Sequence, residues 1–263
     1  MKASKAPARK TGRQAPRKQS APRRDAYHHG ALREALIDAT EALLAERGSE
    51  GFSLREVARR SGVSPAAPAH HFGDAEGLLT AVATLAFDGL AAALRAGNER
   101  GGSDPVARLR EQGLGYVEFA LRYPGRFGLM FRAGAGGVRK DESLERSGHA
   151  AFMVLEEGVR ELLGVAPGAP LQPAHWQALL ATWSVVHGFA HLVLAGQFDR
   201  IAQGAMAAAG AGGAGAATGR SAREAREARE AREVLLREVL SPLLDRQLRG
   251  LLPAPPAPTS GSR

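Results

Sequence analysis

The stretch FSLREVARRSGVSPAAPAHHF, residues 52–72, decides the fold. Within it, Ser53 and Glu56 have the Ser-x-x-Glu spacing of a capping box, in which each side chain satisfies an orphan backbone donor at the start of a helix. The spacing therefore predicts a helix that begins at Leu54.

The second half of this stretch predicts another short helix. Gly62 ends the first helix after about two turns, and Ser64 is expected to cap the next helix with Pro65 at its first position. Pro68 is expected to distort that helix slightly, because it would fall one position past the free donors. Two short helices joined by a glycine turn form a helix-turn-helix, the motif that places its second helix in the major groove of DNA.

The second helix carries small side chains that allow its backbone to approach a duplex closely. Alanine and proline can contact thymine methyl groups, serine can bond phosphates or bases, and histidine can donate to phosphates. An alternative stays open from spacing alone, namely a small-residue helix packed tightly against a neighbour. The residues predicted to contact DNA are Ser53, Ser64, Pro65, Ala66, Ala67, Pro68, Ala69, His70 and His71.

Apolar residues recur at helical spacing through the rest of the chain, so the predicted class is all-α. The expected architecture is a three-helix head (27–90) on a larger helical ligand-binding and dimerisation domain (91–252). A basic, disordered tail (1–26), a flexible insert (204–220) and a proline-rich tail (253–263) complete the predicted organisation. The helices are predicted at about 30–47, 54–61, 64–72, 74–100, 105–122, 141–163, 173–201 and 221–251, with a short aromatic piece near 127–131.

The charge is concentrated at the N-terminus. The 263-residue chain has a net charge of +8 and no cysteine, and residues 1–24 hold nine Lys or Arg and no acid. This tail is expected to be a solubilising extension, with a phosphate-attracting arm as the alternative. The sequence shows neither a long uninterrupted apolar span nor a secretory signal, so we expect a cytoplasmic protein without a membrane segment.

Residues 27–94 resemble the N-terminal domain of the TetR/AcrR family of bacterial regulators. The matching stretches are Tyr27–Arg33, Phe52–Ala58, Gly62–Pro68, His71–Phe72 and Glu76–Leu79. Further along, Trp183–Gly188 resembles the Trp-x-x-x-His-Gly motif of a C-terminal domain in one branch of that family. The resemblance implies a homodimeric transcription regulator that binds a pseudo-palindromic operator in double-stranded DNA, with repression as the default sign, and no enzyme.

The resemblance also implies an effector pocket behind the head and a dimer interface formed by the last two long helices, about 173–201 and 225–250. An unknown small molecule is the expected ligand, although core packing is the alternative role for most of these aromatic residues. The pocket candidates are Tyr116, Phe119, Phe127, Met130, Phe131, Phe152, Trp183 and His187.

Two positions depart from the family pattern. The family usually has tyrosine where Ala69 stands and lysine where Ala75 stands, and both losses remove phosphate contacts. We therefore expect lower intrinsic DNA affinity and a greater dependence on residues 1–24.

Two rival functions remain open. A DNA-binding dimer could act without any ligand, or a metal-dependent sensor could use His187 and His191, which are four residues apart. No acid or cysteine nearby in sequence completes a ligand set, so a buried, hydrogen-bonded histidine is favoured and no metal or cofactor is expected.

Overall fold

The computed structural model describes residues 22–48, 51–131, 138–139, 141–198 and 233–252, with side chains described from residue 31 onward. Every regular element in these ranges is helical, which confirms the all-α class. The helices are α1 (Pro22–Arg47), α2 (Leu54–Arg60), α3 (Ala67–Phe72), α4 (Ala75–Arg100), α5 (Pro105–Arg122), α6 (Pro124–Met130), α7 (Glu142–Leu163), α8 (Pro173–Leu194), a π-helical segment (Leu235–Leu240) and α9 (Ser241–Gly250).

The buried residues form two hydrophobic clusters that meet along α4. The first, which we call the head core, joins α1 and α2 to the first half of α4, and it includes Leu36, Val57 and Val82. The second, the body core, begins at Ala86 on the same helix and extends over α5 to α9. Because α4 is continuous through both cores, the head and body are not separated by a break near residue 90.

Local capping signals set most of the helix starts. The side chain of Asp74 accepts a hydrogen bond from the Gly77 N–H at the start of α4, and Asp141 does the same for Leu144 at the start of α7. Asp104 accepts from the second and third residues of α5, which begins with Pro105. The predicted starts of these three helices are confirmed, because an aspartate at the N-cap supplies the acceptor that the first turn lacks.

Two helix ends differ from the prediction. Helix α1 begins at Pro22 rather than near residue 30, which shortens the predicted tail of 1–26; proline is well suited to a first helical turn because its missing N–H has no acceptor there. Helix α8 ends at Leu194 rather than near 201, since Gly196 adopts a left-handed φ of 65° and its N–H bonds to the Val193 carbonyl.

The last helix contains an irregularity that was not predicted. The N–H of Ser241 bonds to the carbonyl of Leu236, five residues back, at the end of the π-helical segment. Pro242 follows at once and cannot donate to the carbonyl of Glu238. The wider π turn therefore accommodates a proline that would otherwise break the helix.

Several predicted segments lie outside the described residues. They include residues 1–21 of the tail, the insert 204–220, the part of the predicted last helix before residue 233 and the tail 253–263. Within the described part, α4 and α8 are long and apolar enough to cross a membrane by length and composition alone. This is a weak indication of a membrane span, because the core helices of soluble proteins meet the same criterion.

Candidate DNA-binding head and effector cavity

Helix α2 begins at Leu54 as predicted, but the capping box is not formed. Ser53 occupies the N-cap with extended backbone, and its side chain makes no capping bond. The Glu56 carboxylate instead accepts two bonds of 2.7 Å from Arg59 and one of 3.0 Å from Arg60. Hydrogen bonds from Arg59 and then Arg60 lower the pKa of Glu56 to about 2. The Glu56 carboxylate is therefore engaged by two guanidinium groups and not by the backbone N–H of Ser53.

Arg60 also ties the first helix of the motif to α1. Its guanidinium donates to both carboxylate oxygens of Glu46, at 2.8 and 2.6 Å. This bidentate pair spans two helices, whereas the pairs with Glu56 stay within α2. It orients α2 relative to the long helix that supports it.

The turn after α2 has the hydrogen bonds of a Schellman motif. Gly62 has a φ of 67°, its N–H bonds to the Arg59 carbonyl, and the N–H of Val63 bonds to the Ala58 carbonyl at 3.0 Å. A left-handed residue is required at this point, which favours glycine. The helix-turn-helix predicted from the sequence is therefore present.

Helix α3 begins later than expected. Ser64 and Pro65 lie in a turn closed by the Ala67 N–H on the Ser64 carbonyl at 3.0 Å, and the regular helix starts at Ala67. Pro68 is then the second helical residue, where no intrahelical donor is needed. The distortion predicted at Pro68 was wrong for this reason.

The predicted DNA contacts divide by exposure. Pro68 is buried against the head and is not available to DNA, so its prediction as a contact is not supported. Ala67 and His71 are half-buried. The residues that the structure leaves exposed are Ser53, Ser64, Pro65, Ala66, Ala69 and His70.

A shallow groove of about 410 Å³ runs beside this exposed face, between the start of α2 and the turn before α3. Arg55 is exposed there, and Arg59 lies beside it with its charge shared with Glu56. The Arg33 guanidinium lies 5.5 Å from the centre of the ring of Phe72, the last residue of α3. Arginine side chains therefore lie near the turn before α3 and near its last residue.

The body contains a cavity of about 290 Å³ lined by α4, α5, α7 and α8 and by Phe131, the residue that follows α6. Of the eight predicted pocket residues, Tyr116, Phe131, Phe152 and Trp183 line it. The lining residues that the sequence reasoning missed are Phe87, Leu90, Leu94, Leu109, Gln112, Gly113, Gly148, Ala151, Leu155, Thr182 and Val186. Phe87, Leu90 and Leu94 are spaced i, i+3, i+7, and this periodicity was the available signal.

The other four candidates lie elsewhere in the body core. Phe119 faces Gly89 of α4, and Met130 is buried in the body core. Phe127 is fully buried, with its ring 5.7 Å from that of Tyr116. His187 lies behind the cavity wall, where the Tyr116 hydroxyl forms a 2.8 Å hydrogen bond with its Nδ1.

The His187 and His191 rings pack together with their centres 4.5 Å apart. Burial, and then the neighbouring His191, lower the pKa of His187, so this ring is neutral at pH 7. No cluster of three or more candidate metal ligands occurs within the part of the chain that the structure describes.

Two contacts join the neighbourhood of the cavity to the head. Phe131 lines the cavity, while Leu129, two residues earlier on α6, is buried in the head core. The Arg126 guanidinium on α6 pairs with the Glu41 carboxylate on α1. A displacement of α6 at the cavity would therefore also displace the residues that it contacts on α1 and in the head core.

Comparisons with known proteins agree with this geometry. Residues 36–82 match a family model described as bacterial regulatory proteins, tetR family, and residues 109–212 match one described as tetracyclin repressor-like, C-terminal domain. The second match includes the Trp183–Gly188 motif.

Individual relatives were found by sequence and by structure. An HTH-type transcriptional regulator BetI from Burkholderia ambifaria is 38% identical over 78 residues, which are 30% of this chain and 40% of that protein. A Rhodococcus sp. RHA1 protein with unknown function is 29% identical, with a TM-score of 0.61 over 85% of this chain and 97% of that one. A TetR family transcriptional regulator from Chloroflexus aurantiacus J-10-FL is 17% identical, with a TM-score of 0.52 over 84% of this chain and 92% of that one, and it supports the fold alone.

The two family models cover separate halves of the molecule in the expected order, and together they span more than half of the chain. The helix-turn-helix lies in the first and the cavity-lining residues of α5, α7 and α8 lie in the second. The chain is a TetR family transcriptional regulator with a DNA-binding helix-turn-helix domain.

Proposed function

We propose that this regulator is a homodimer that binds a pseudo-palindromic operator through α3 and releases it when a small molecule enters the body cavity. Repression is the default sign of regulation. The observation that carries the proposal is the exposed face of α3, on which Ala66, Ala69 and His70 follow an i, i+3, i+4 spacing. A cytoplasmic location follows, because the operator DNA lies there.

The exposed face of α3 suits close approach to base edges. The side chains of Ala66 and Ala69 end at Cβ, so the helix backbone itself can enter the groove. Arg55, near the turn before α3, and Arg33, near its last residue, are candidates for phosphate contacts. Phosphate contacts set the register and base contacts set the specificity.

Dimerisation is supported by exposed apolar side chains on two neighbouring helices. Trp176, Leu180 and Leu192 on α8 are 43%, 52% and 48% exposed, and Val239 and Leu243 near the C-terminus are 44% and 45% exposed. Large exposed apolar groups of this kind mark interaction surfaces. A second copy packed on them would form a four-helix interface and hold two α3 helices about 34–36 Å apart, the separation of successive major grooves.

Two features support a response to an effector. Helix α4 runs without a break through both cores, and α6 contacts the head core next to the cavity. A ligand that favours one position of Phe131 favours one position of Leu129 in the head core. Such a ligand shifts the population between a DNA-bound state and a released state only if it binds the two states with different affinity.

The DNA-binding test compares Ala66→Glu and Ala69→Glu with Ala96→Glu, an exposed alanine on the body part of α4. The operator is first selected from the DNA that surrounds the gene. Each exchange on α3 places a carboxylate in both half-sites, and an unfavourable base contact costs about 1–3 kcal/mol in each, so we expect at least about thirtyfold weaker binding. Ala96→Glu should bind like the parent. Equal binding by all three variants would refute the role of α3.

The dimer and effector parts have separate tests. Leu180→Glu and Leu243→Glu should each produce a monomer in sedimentation experiments and abolish operator binding. A metabolite panel that changes neither operator affinity nor melting temperature would favour the ligand-independent dimer over the ligand-responsive one.

A further inference from the structure

We propose that the body cavity binds an uncharged, two-ring aromatic molecule that donates one hydrogen bond to Oε1 of Gln112. This inference rests on the proposal that the cavity is the effector site.

The cavity wall excludes a charged ligand. Among the residues that the structure describes, none that lines the cavity is an acid, a lysine, an arginine or a histidine. The ionisable group among these residues is the Tyr116 hydroxyl, and burial raises the pKa of Tyr116, so the phenol is neutral at any physiological pH. An ion would lose its hydration inside this cavity without gaining a counter-charge, which is strongly unfavourable.

The dimensions of the cavity limit the ligand to about two fused rings. Its volume of about 290 Å³ is close to twice that of a cavity that holds benzene, about 150 Å³. Several aromatic rings line it: the ring of Phe131 lies 6.2 Å from that of Phe87, edge to face, and 6.5 Å from that of Trp183, at a tilt. Aromatic side chains arranged in this way present faces and edges that suit another aromatic ring.

Gln112 supplies the specific polar contact. It is 1% exposed, and its Nε2 donates to the Val154 carbonyl at 2.9 Å, which fixes the orientation of the amide. The remaining atom, Oε1, accepts no hydrogen bond from the described residues. A ligand that fills the cavity displaces water from this acceptor, so a ligand that donates to Oε1 binds more tightly than one that leaves it without a partner.

The two hydroxyl groups of the wall are already engaged. Thr182 donates to the Ala178 carbonyl at 2.9 Å, and the Tyr116 hydroxyl is bonded to Nδ1 of His187. Gln112 is therefore the group in the wall that most favours a donor on the ligand.

The first test uses matched naphthalenes and calorimetry on the full-length dimer without DNA. 2-Naphthamide and 2-naphthoate have the same shape and differ in charge, and we expect the neutral amide to bind at least a hundredfold more tightly. 2-Naphthol and 2-fluoronaphthalene differ in one donor, and we expect about tenfold tighter binding of the naphthol. Tighter binding of the anion, or equal binding of the second pair, would overturn the inference.

Variants tie the binding to this cavity. Gln112→Met has a similar volume and no acceptor of this kind, so it should bind 2-fluoronaphthalene normally and lose the preference for 2-naphthol. A Cβ at Gly148 would meet only the Phe87 ring, at 3.8–3.9 Å, so Gly148→Leu is expected to fold and to fill the cavity. Gly128→Leu, on an exposed helix face with no neighbour within 4 Å of its Cβ, is the matched control. Loss of 2-naphthol binding in the control but not in Gly148→Leu would contradict the location.

A parallel measurement of operator affinity separates this inference from the proposed function. Neutral naphthalenes that bind in the cavity without altering operator affinity would leave the ligand class standing and refute the effector role. Release of the operator by charged molecules alone would preserve the effector role and refute the ligand class.

Discussion

Replacing Gly97 with alanine should destabilise the protein, because this residue sets the distance between α4 and α5. A Cβ at Gly97 would lie 2.5 Å from the carbonyl oxygen of Glu111 and 2.7 and 2.8 Å from Cα and N of Gln112. These are backbone atoms of α5, so no change of rotamer can relieve the overlap. The two helices would have to separate by on the order of 1 Å to reach normal contact distances.

The expected loss of unfolding free energy is the difference between two opposing effects. Overpacking of a core contact costs about 1–3 kcal/mol, and the fixed backbone at this site places the cost near 3 kcal/mol. Replacing glycine by alanine inside a helix stabilises the folded protein by about 1 kcal/mol, which offsets part of this cost. The net loss of about 2 kcal/mol corresponds to a fall in Tm of about 4–8 °C for a protein of this size.

Thermal unfolding followed by circular dichroism measures this change. Gly128→Ala is the control, since nothing lies within 4 Å of its Cβ, and it should raise Tm by about 2–4 °C through helix propensity alone. A Tm for Gly97→Ala at or above that of the parent would show that α4 and α5 are not in the close contact described.

Three further predictions address charge and packing. The Glu56 carboxylate should titrate by NMR with a pKa of about 2, below its ordinary 4.5. Its contribution to stability is then present above pH 4.5 and lost as the pH falls toward 2. An unshifted pKa would show that the arginine contacts do not persist in solution. Because the pKa of His187 is lowered in the folded protein, the unfolded chain takes up a proton at higher pH than the folded one. The stability of the protein should therefore decrease as the pH falls below 6.5. A pKa at or above 6.5 by NMR would contradict the burial of His187. Leu244→Ala, at a residue 1% exposed, should cost about 2–5 kcal/mol of unfolding free energy in denaturant titrations. Leu243→Ala, at its 45% exposed neighbour, should instead weaken the dimer, and similar losses of stability in the two variants would contradict the assigned faces.

The sequence predicted the helix-turn-helix and most helix starts because these depend on local interactions. An aspartate before a helix, a proline in its first turn and a glycine at a left-handed turn act within four or five residues. The same reasoning failed at Ser53 and Glu56, where the capping-box pattern was present but two arginines on the next turn of α2 bind the carboxylate.

The cavity could be predicted only in part. Aromatic residues were chosen as candidates, yet Phe119 and Phe127 fill the core while Leu90 and Leu94 line the cavity. Helical periodicity identifies the side of a helix that is buried, but it does not distinguish a wall facing another helix from a wall facing an empty space.

The sequence by itself determined that this chain is helical, where its helix-turn-helix lies and where most helices begin, because those properties depend on residues that are neighbours along the chain. The tertiary structure decided that Pro68 is buried while Ala66 and Ala69 face outward, that Gly97 brings α4 against α5, and that Gln112 presents an unpaired oxygen to a cavity. These features depend on the distances and rotations between helices, which are set by the packing of side chains that are far apart in sequence.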